Sequence, residues 1–233
     1  MTARLAIGAL FAAMLCACAK TAESATPAAA VVSAKPTLTY GPDAIPVAMD
    51  TALLRKADLG RITGDSAAKI IVLEISDFQC PYCKSFHDST YPALRTNYVD
   101  NGRARMAYVN LPLRMHENAW PAAEAAMCAS VQGKFWAMHD SLFDAQARWS
   151  TMAKPDTMFA RLARTMALDG TAFTSCQTSH ATRPLIASDA ERAGSIGISG
   201  TPAFIIGDSA LSGAQPYAEF KRVLDANLAS KRR

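Results

Sequence analysis

The feature that most restricts this chain is a short apolar strand running almost directly into a pair of cysteines. Lys69-Ile-Ile-Val-Leu-Glu-Ile-Ser76 is β-branched and nearly continuously apolar, the pattern of a central strand buried on both faces. Cys80-Pro81-Tyr82-Cys83 follows three residues later. From Pro81 to about Val99 the pattern predicts a helix, with a kink at Pro92 where the ring removes a backbone donor. Asn101-Gly102 marks a turn, and Arg103 to Leu111 reads as a second strand. Strand, crossover helix and strand at this spacing predict a βαβ unit with a parallel pair.

A C-x-x-C alone is ambiguous. It can hold a soft metal, form a structural bridge or exchange electrons. Zinc would need further ligands at suitable spacing, and none is evident: His87 lies one turn beyond Cys83, while His116 and His139 form no pair. A structural bridge across two intervening residues closes a loop too short to stabilise much. Position favours the redox reading. The pair opens a helix behind a buried strand, where unpaired N–H groups and the positive end of the helix dipole stabilise a thiolate. Cys80 is the predicted nucleophile, and Cys83, one turn deeper, the resolving thiol. Pro81 suits the first helical position.

Beyond the second strand the texture changes. From His116 to about Ser179, Ala, Met and charged residues predict three or four short helices with breaks near Gly133, Pro155 and Gly170. A helix follows over Arg183–Ala193, then a turn ending at Thr201-Pro202, a strand over Ala203–Ile206, another near Ala210–Gly213, and a helix over Tyr217–Ala229 with Pro216 in its first turn. Half of the 233 residues are apolar and 19 % are charged, so the bulk of the chain is globular. The net charge of +4 includes the terminal Lys231-Arg232-Arg233, and there is no basic stripe interleaved with aromatics. Nucleic acid is not an expected partner.

The N-terminus reads as a secretory signal. Arg4 precedes an apolar run over Leu5–Ala19 that is short for a membrane span. Two processing readings stand. Leu15-Cys16-Ala17-Cys18 resembles the lipobox of bacterial lipoproteins and would leave Cys18 lipidated; Ala17-Cys18-Ala19 also offers a site for ordinary cleavage. An Ala/Thr/Ser/Pro stretch from Thr21 to Pro36 follows and reads as a tether, then a short approach segment punctuated by Pro42, Pro46 and Gly60. Outside the signal region four cysteines remain: Cys80, Cys83, Cys128 and Cys176. An even number in an oxidising compartment predicts two pairs.

Three motifs in order carry a resemblance: Ile75-Ser-Asp-Phe-Gln-Cys-Pro-Tyr-Cys83; Gly133-Lys-Phe-Trp136 with His139 to Phe143; and Gly197-Ile-Ser-Gly-Thr-Pro202-Ala-Phe204. Over roughly residues 60–230 the chain is similar to the DsbA-type family of thiol–disulfide oxidoreductases. The resemblance implies an α/β, thioredoxin-like fold with an inserted α-helical domain. It divides the chain into a signal at 1–19, a tether and approach segment at 20–60, a thioredoxin-like domain at 61–112 and 183–230, and a helical insertion at 113–182. It also implies that Cys80 is the exposed attacking cysteine and Pro202 a cis-proline beside it. Thr201 and Pro202 would dock a substrate segment as an added strand, with Pro81 and the partly exposed Tyr82 at the same surface.

Glu74, a carboxylate in an apolar strand, needs a role or a partner. It could take the proton of Cys83, as an acidic residue at that place does in the wider thioredoxin group, or pair with Lys69. Asp77 is expected to cap the helix approach, Gln79 to shape the turn or groove, and Phe78 to lie in the core. Cys128 and Cys176 are expected to form a structural disulfide within the helical block, with two buried free cysteines as the alternative. The family favours oxidation of newly exported proteins, recycled by a membrane or periplasmic redox partner. No cofactor is expected, and the lack of an N-terminal dimerisation domain argues for a monomer. A reductase or isomerase of the same fold, or a lipid-tethered Cu(I)-binding protein, are the alternatives.

Overall fold

The computed structural model describes residues 50–231. The expected signal segment at 1–19, the lipidation site Cys18 and the tether itself lie outside the described residues. The elements are α1 (Thr51–Gly60), β1 (Ile62–Thr63), β2 (Ile71–Ser76), α2 (Pro81–Ser89), α3 (Tyr91–Leu94), a single π-helical turn (Arg95–Val99), and β3 (Arg105–Asn110). Five helices follow: α4 (Ala119–Val131), α5 (Phe135–Asp144), α6 (Gln146–Trp149), α7 (Asp156–Thr165) and α8 (Gly170–Thr178). The chain ends with α9 (Arg183–Ser195), β4 (Ala203–Ile206), β5 (Ser209–Ser212) and α10 (Tyr217–Ser230).

The sheet runs β1-β3-β2-β4-β5. As the crossover spacing predicted, β2 and β3 are parallel, in register from Ile71 opposite Arg105 to Ser76 opposite Asn110. β4 joins β2 antiparallel, with Glu74 opposite Phe204, and β5 hairpins onto β4. On one face Val72, Met106, Phe204 and Ile206 pack with Phe86 and Leu94 of α2–α3 and with Phe220 and Leu224 of α10. On the other, Ile75 and Ala203 pack with Ala190 and Ala193 of α9. That second cover is partial. Ile71 is exposed and Leu73 half-buried, so β2 is not buried along its whole length on both faces as its composition suggested.

Four other expectations change. The approach segment at 20–60 does not end as an unstructured stretch, because Asp50 caps α1 by accepting from the Ala52 and Leu53 N–H groups. Gly60 lets α1 lie close to α4: a Cβ there would meet the Ser130 carbonyl at 2.7 Å. Arg61 then reaches Asp189 on α9, and Asp189 also accepts from the Asn110 backbone (3.1 Å) and side-chain amide (2.9 Å). This buried ion pair ties the end of α1 to the β3 terminus and α9, and β1 pairs with β3. The long helix expected over 81–99 is broken rather than kinked. It stops at Ser89, and Pro92 sits in the first turn of α3, where its missing donor costs nothing. The helical block has one helix more than the three or four expected, since Ala145 separates α5 from α6. Pro216 is the N-cap of α10 rather than a first-turn residue.

Candidate dithiol site

β2 and β3 end side by side, and the chain leaves β2 through Asp77-Phe78-Gln79 to reach α2. Asp77 accepts from the Gln79 N–H at 2.8 Å through Oδ1, and its carbonyl accepts from the Cys80 N–H at 3.1 Å. It therefore closes the turn before the helix but does not cap it. The N-cap is Cys80 itself, in extended conformation, with Pro81 next. The helical block holds this turn from the other side. Gln146 on α6 donates to the carbonyls of Phe78 (2.7 Å) and Cys80 (3.1 Å). Gln79, expected to shape the turn or a groove, instead bridges to the block: its Nε2 donates to the Ser150 carbonyl and its Oε1 accepts from the Asn118 N–H. Phe78 is core, stacked on Tyr108 with centroids 4.7 Å apart.

Cys80 and Cys83 are both free thiols, and both are buried among residues of the helical block's core. Cys80 is 3 % exposed, so the exposed cysteine that the resemblance implied is in fact mostly covered. The open part of the motif is Tyr82, 68 % exposed, together with exposed Pro81. Thr201-Pro202 comes next to the pair through a cis peptide bond. In the thiol form Cys80 Sγ donates to the Thr201 carbonyl at 3.4 Å. The Thr201 hydroxyl, buried and otherwise unpartnered, is the donor available once the sulfur is ionised.

The two sulfurs are driven apart electrostatically. A hydrogen bond from Cys83 brings the Cys80 thiol down to about 6, aided by Thr201 and by the Tyr82 and Cys83 N–H groups at the helix start, against the opposing effect of burial. Burial pushes Cys83 well above the usual thiol range, and its donation to Cys80 adds to the rise. The environment thus makes one sulfur the stable thiolate and the other the proton carrier.

Glu74 on β2 is fully buried, with neither carboxylate oxygen hydrogen-bonded. It does not pair with Lys69. Burial raises it to about 7, partly offset by Ser76 and His87. Tyr108, opposite it on β3, is also fully buried with its hydroxyl unpartnered, and burial with the nearby Glu74 and Cys83 pushes the phenol far up. A carboxyl whose folded value is raised is neutral in both folded and unfolded chains below its ordinary 4.5. Its ionisation then costs stability increasingly as pH rises to about 7, and by a constant amount above. Glu74→Gln is therefore expected to gain about 3 kcal/mol relative to the parent between about pH 4 and about pH 8. Urea unfolding of both reduced proteins across that range measures it. Parallel stability curves would mean that Glu74 ionises freely in the fold.

A family model described as thioredoxin matches residues 56–226, well over half of the chain. The chain belongs to the thioredoxin family. The α-DsbA1 structure from Wolbachia pipientis superposes with a TM-score of 0.66 over 73 % of this chain and 91 % of that one, at 23 % identity. The fold is thus the DsbA-type form of the thioredoxin fold, with helices inserted between β3 and α9. Disulfide bond formation protein D of Bacillus subtilis is 23 % identical over 73 % of this chain and 78 % of its own. The Na(+)/H(+) antiporter NhaA 3 of Salinispora tropica is 35 % identical over 150 residues, 64 % of this chain but 22 % of the antiporter. The chain spans 22 % to 29 % of the length of the antiporters it matches.

Of the residues singled out from sequence, the thioredoxin fold brings together Glu74, Cys80, Pro81, Tyr82, Cys83, Thr201 and Pro202. Cys128 and Cys176 lie elsewhere and are bonded to each other, Cα atoms 5.9 Å apart, joining α4 to α8. Sequence reasoning did not find Tyr108 or Gln146. Tyr108 alternates along β3 with the same face as Glu74, a signal that period-two counting offers once the register is known. Gln146 carries no sequence signal, because its contact depends on how α6 meets the turn.

Proposed function

We propose that this chain is a thiol–disulfide oxidoreductase of the cell envelope that passes its Cys80–Cys83 disulfide to cysteines of exported proteins. A client thiolate attacks Cys80 Sγ, the Cys80–Cys83 bond breaks, and Cys83 leaves with the electron pair and takes a proton, which the buried carboxyl of Glu74 supplies. A second client thiolate then attacks the client sulfur of the mixed disulfide. Cys80 leaves as a thiolate, the client is oxidised by two electrons, and the pair is reduced. A membrane or periplasmic redox partner of disulfide chemistry restores it. Thr201 and Pro202, with Pro81 and Tyr82 alongside, dock the client backbone, and Cys18 tethers the protein to a membrane. Among the described residues no helix is long and apolar enough to cross one.

The observation that carries the reading is the split between the two sulfurs at one helix start, Cys80 lowered to about 6 and Cys83 raised. A stabilised Cys80 thiolate favours the reduced pair and is a good leaving group, so the disulfide is oxidising. Equilibration of the pair against glutathione tests it. A potential toward the strong-oxidant end, about −120 mV, is expected; one near about −270 mV would assign a reductant instead. Stoichiometric Cu(I) capture without dithiol turnover would overturn the enzyme reading.

A further inference from the structure

We propose that His116, anchored by Asp77, is the cation that stabilises the ionised Cys80 sulfur. This deepens the proposed exchange chemistry and rests on it. The pair has no basic residue between its cysteines, Pro81-Tyr82 standing there, and on the same helix Lys84 pairs with Asp88 and His87 with Asp88 and Asp140, so a cation for the sulfur comes from another element. The loop after β3 brings one. Asp77, whose side chain is fully buried, uses Oδ2 to accept from the Leu113 N–H at 2.9 Å and from His116 Nδ1 at 2.6 Å. Its Oδ1 and its carbonyl hold the Gln79 and Cys80 N–H groups. One carboxylate therefore fastens the His116 loop to the turn that carries the nucleophile. The imidazole side chain is 14 % exposed, partly shielded from solvent screening, and among the described residues its Nε2 has no hydrogen-bond partner.

A buried carboxylate at 2.6 Å favours a doubly protonated ring with Nδ1–H aimed at Asp77, as in other carboxylate–imidazole pairs. The charges that act on the ring are consistent with this. The Asp77 hydrogen bond raises His116 most, burial opposes it, and the Asp77 charge and the Cys80 thiolate raise it further. Arg114 and Glu117 flank it on its own loop, both exposed and of opposite sign. The interaction with Cys80 is reciprocal: a thiolate that favours the imidazolium is equally favoured by it. Asp77 alone would repel the thiolate, so the dyad adds the cation and neutralises the carboxylate at once.

The test follows Cys80 ionisation in the reduced protein, by thiolate ultraviolet absorbance and by iodoacetamide labelling against pH, for the parent, His116→Gln and His116→Arg. In the parent the thiolate midpoint should lie near 6. His116→Gln is expected to raise it by about one unit and to slow labelling at about pH 6 by up to tenfold, and His116→Arg to restore most of both. Ring titration of His116 by NMR gives a measure independent of the variants' folding. Its midpoint should be higher in the reduced parent than in Cys80→Ser. An unchanged thiolate midpoint in a folded His116→Gln, or equal ring midpoints, would leave His116 as a loop fastener only. A parent midpoint in the ordinary thiol range would instead defeat the reading of the dithiol itself.

Discussion

Cys80→Ser is expected to lower oxidation of a dithiol peptide by a thousandfold or more, on the order of what removing any covalent nucleophile does. Cys83→Ser should behave differently. Its Cys80 can still be attacked or attack, but the covalent partner that ejects the client is gone, so mixed disulfides should accumulate and be visible by mass spectrometry after acid quenching. The asymmetry follows from placement. Cys80 is the N-cap of α2, beside Thr201 and under the exposed Tyr82. Cys83 is fully buried near Tyr108, out of a client's reach. A serine hydroxyl at 80 has an ordinary pKa far above any working pH and forms no bond to sulfur. Peptide oxidation in the presence of oxidised glutathione measures the rate. Turnover that survives Cys80→Ser, or mixed disulfides that form through Cys83 in that variant, would move the chemistry off the helix start.

Much of this site could be read from the chain because its logic is local. A β-branched run, a three-residue turn and a cysteine before a proline are adjacent in sequence, so strand, turn and helix start follow from short-range rules. The parallel pair and the cysteine-to-helix relation emerged at their expected places. Readings failed where tertiary contacts decide. The exposure of Cys80 depends on how the helical block, with Phe143 against Phe78 and Gln146 on the Phe78 and Cys80 carbonyls, closes on the turn, and a local pattern cannot report that. His116 looked unpaired because it meets Asp77 39 residues away, a spacing belonging to no ligand motif. α1 was hidden in an approach segment because a ten-residue helix with one buried residue, Ala57, has a faint apolar stripe. Its stability comes from docking on α4 and from the Arg61–Asp189 pair. Glu74 is the instructive middle case. Its cost in an apolar strand was legible, but which face it took, and that nothing pairs with it, required the register against Tyr108 and Phe204.

Removing the Cys128–Cys176 bridge is expected to cost roughly 4 kcal/mol, since the 48-residue separation closes a long loop in the unfolded chain. For a folded region of this size that corresponds to a fall in Tm of about 12 °C. The double variant Cys128→Ala/Cys176→Ala is the one to measure. A single replacement would leave a thiol that the Cys80–Cys83 disulfide could itself oxidise, mixing a redox effect with a structural one. The loss should not stay in the block. The bridge ties α8 to α4, whose N-cap Asn118 donates its backbone N–H to Gln79, while Gln146 on α6 holds the Phe78 and Cys80 carbonyls. Loosening should therefore also raise the rate at which a small alkylating reagent reaches Cys83, buried in the parent. Calorimetry with and without the bridge, combined with labelling of Cys83 in reduced protein, separates the two effects. A Tm drop with unchanged Cys83 labelling would mean that the block holds the dithiol turn by local packing alone, independent of its covalent staple.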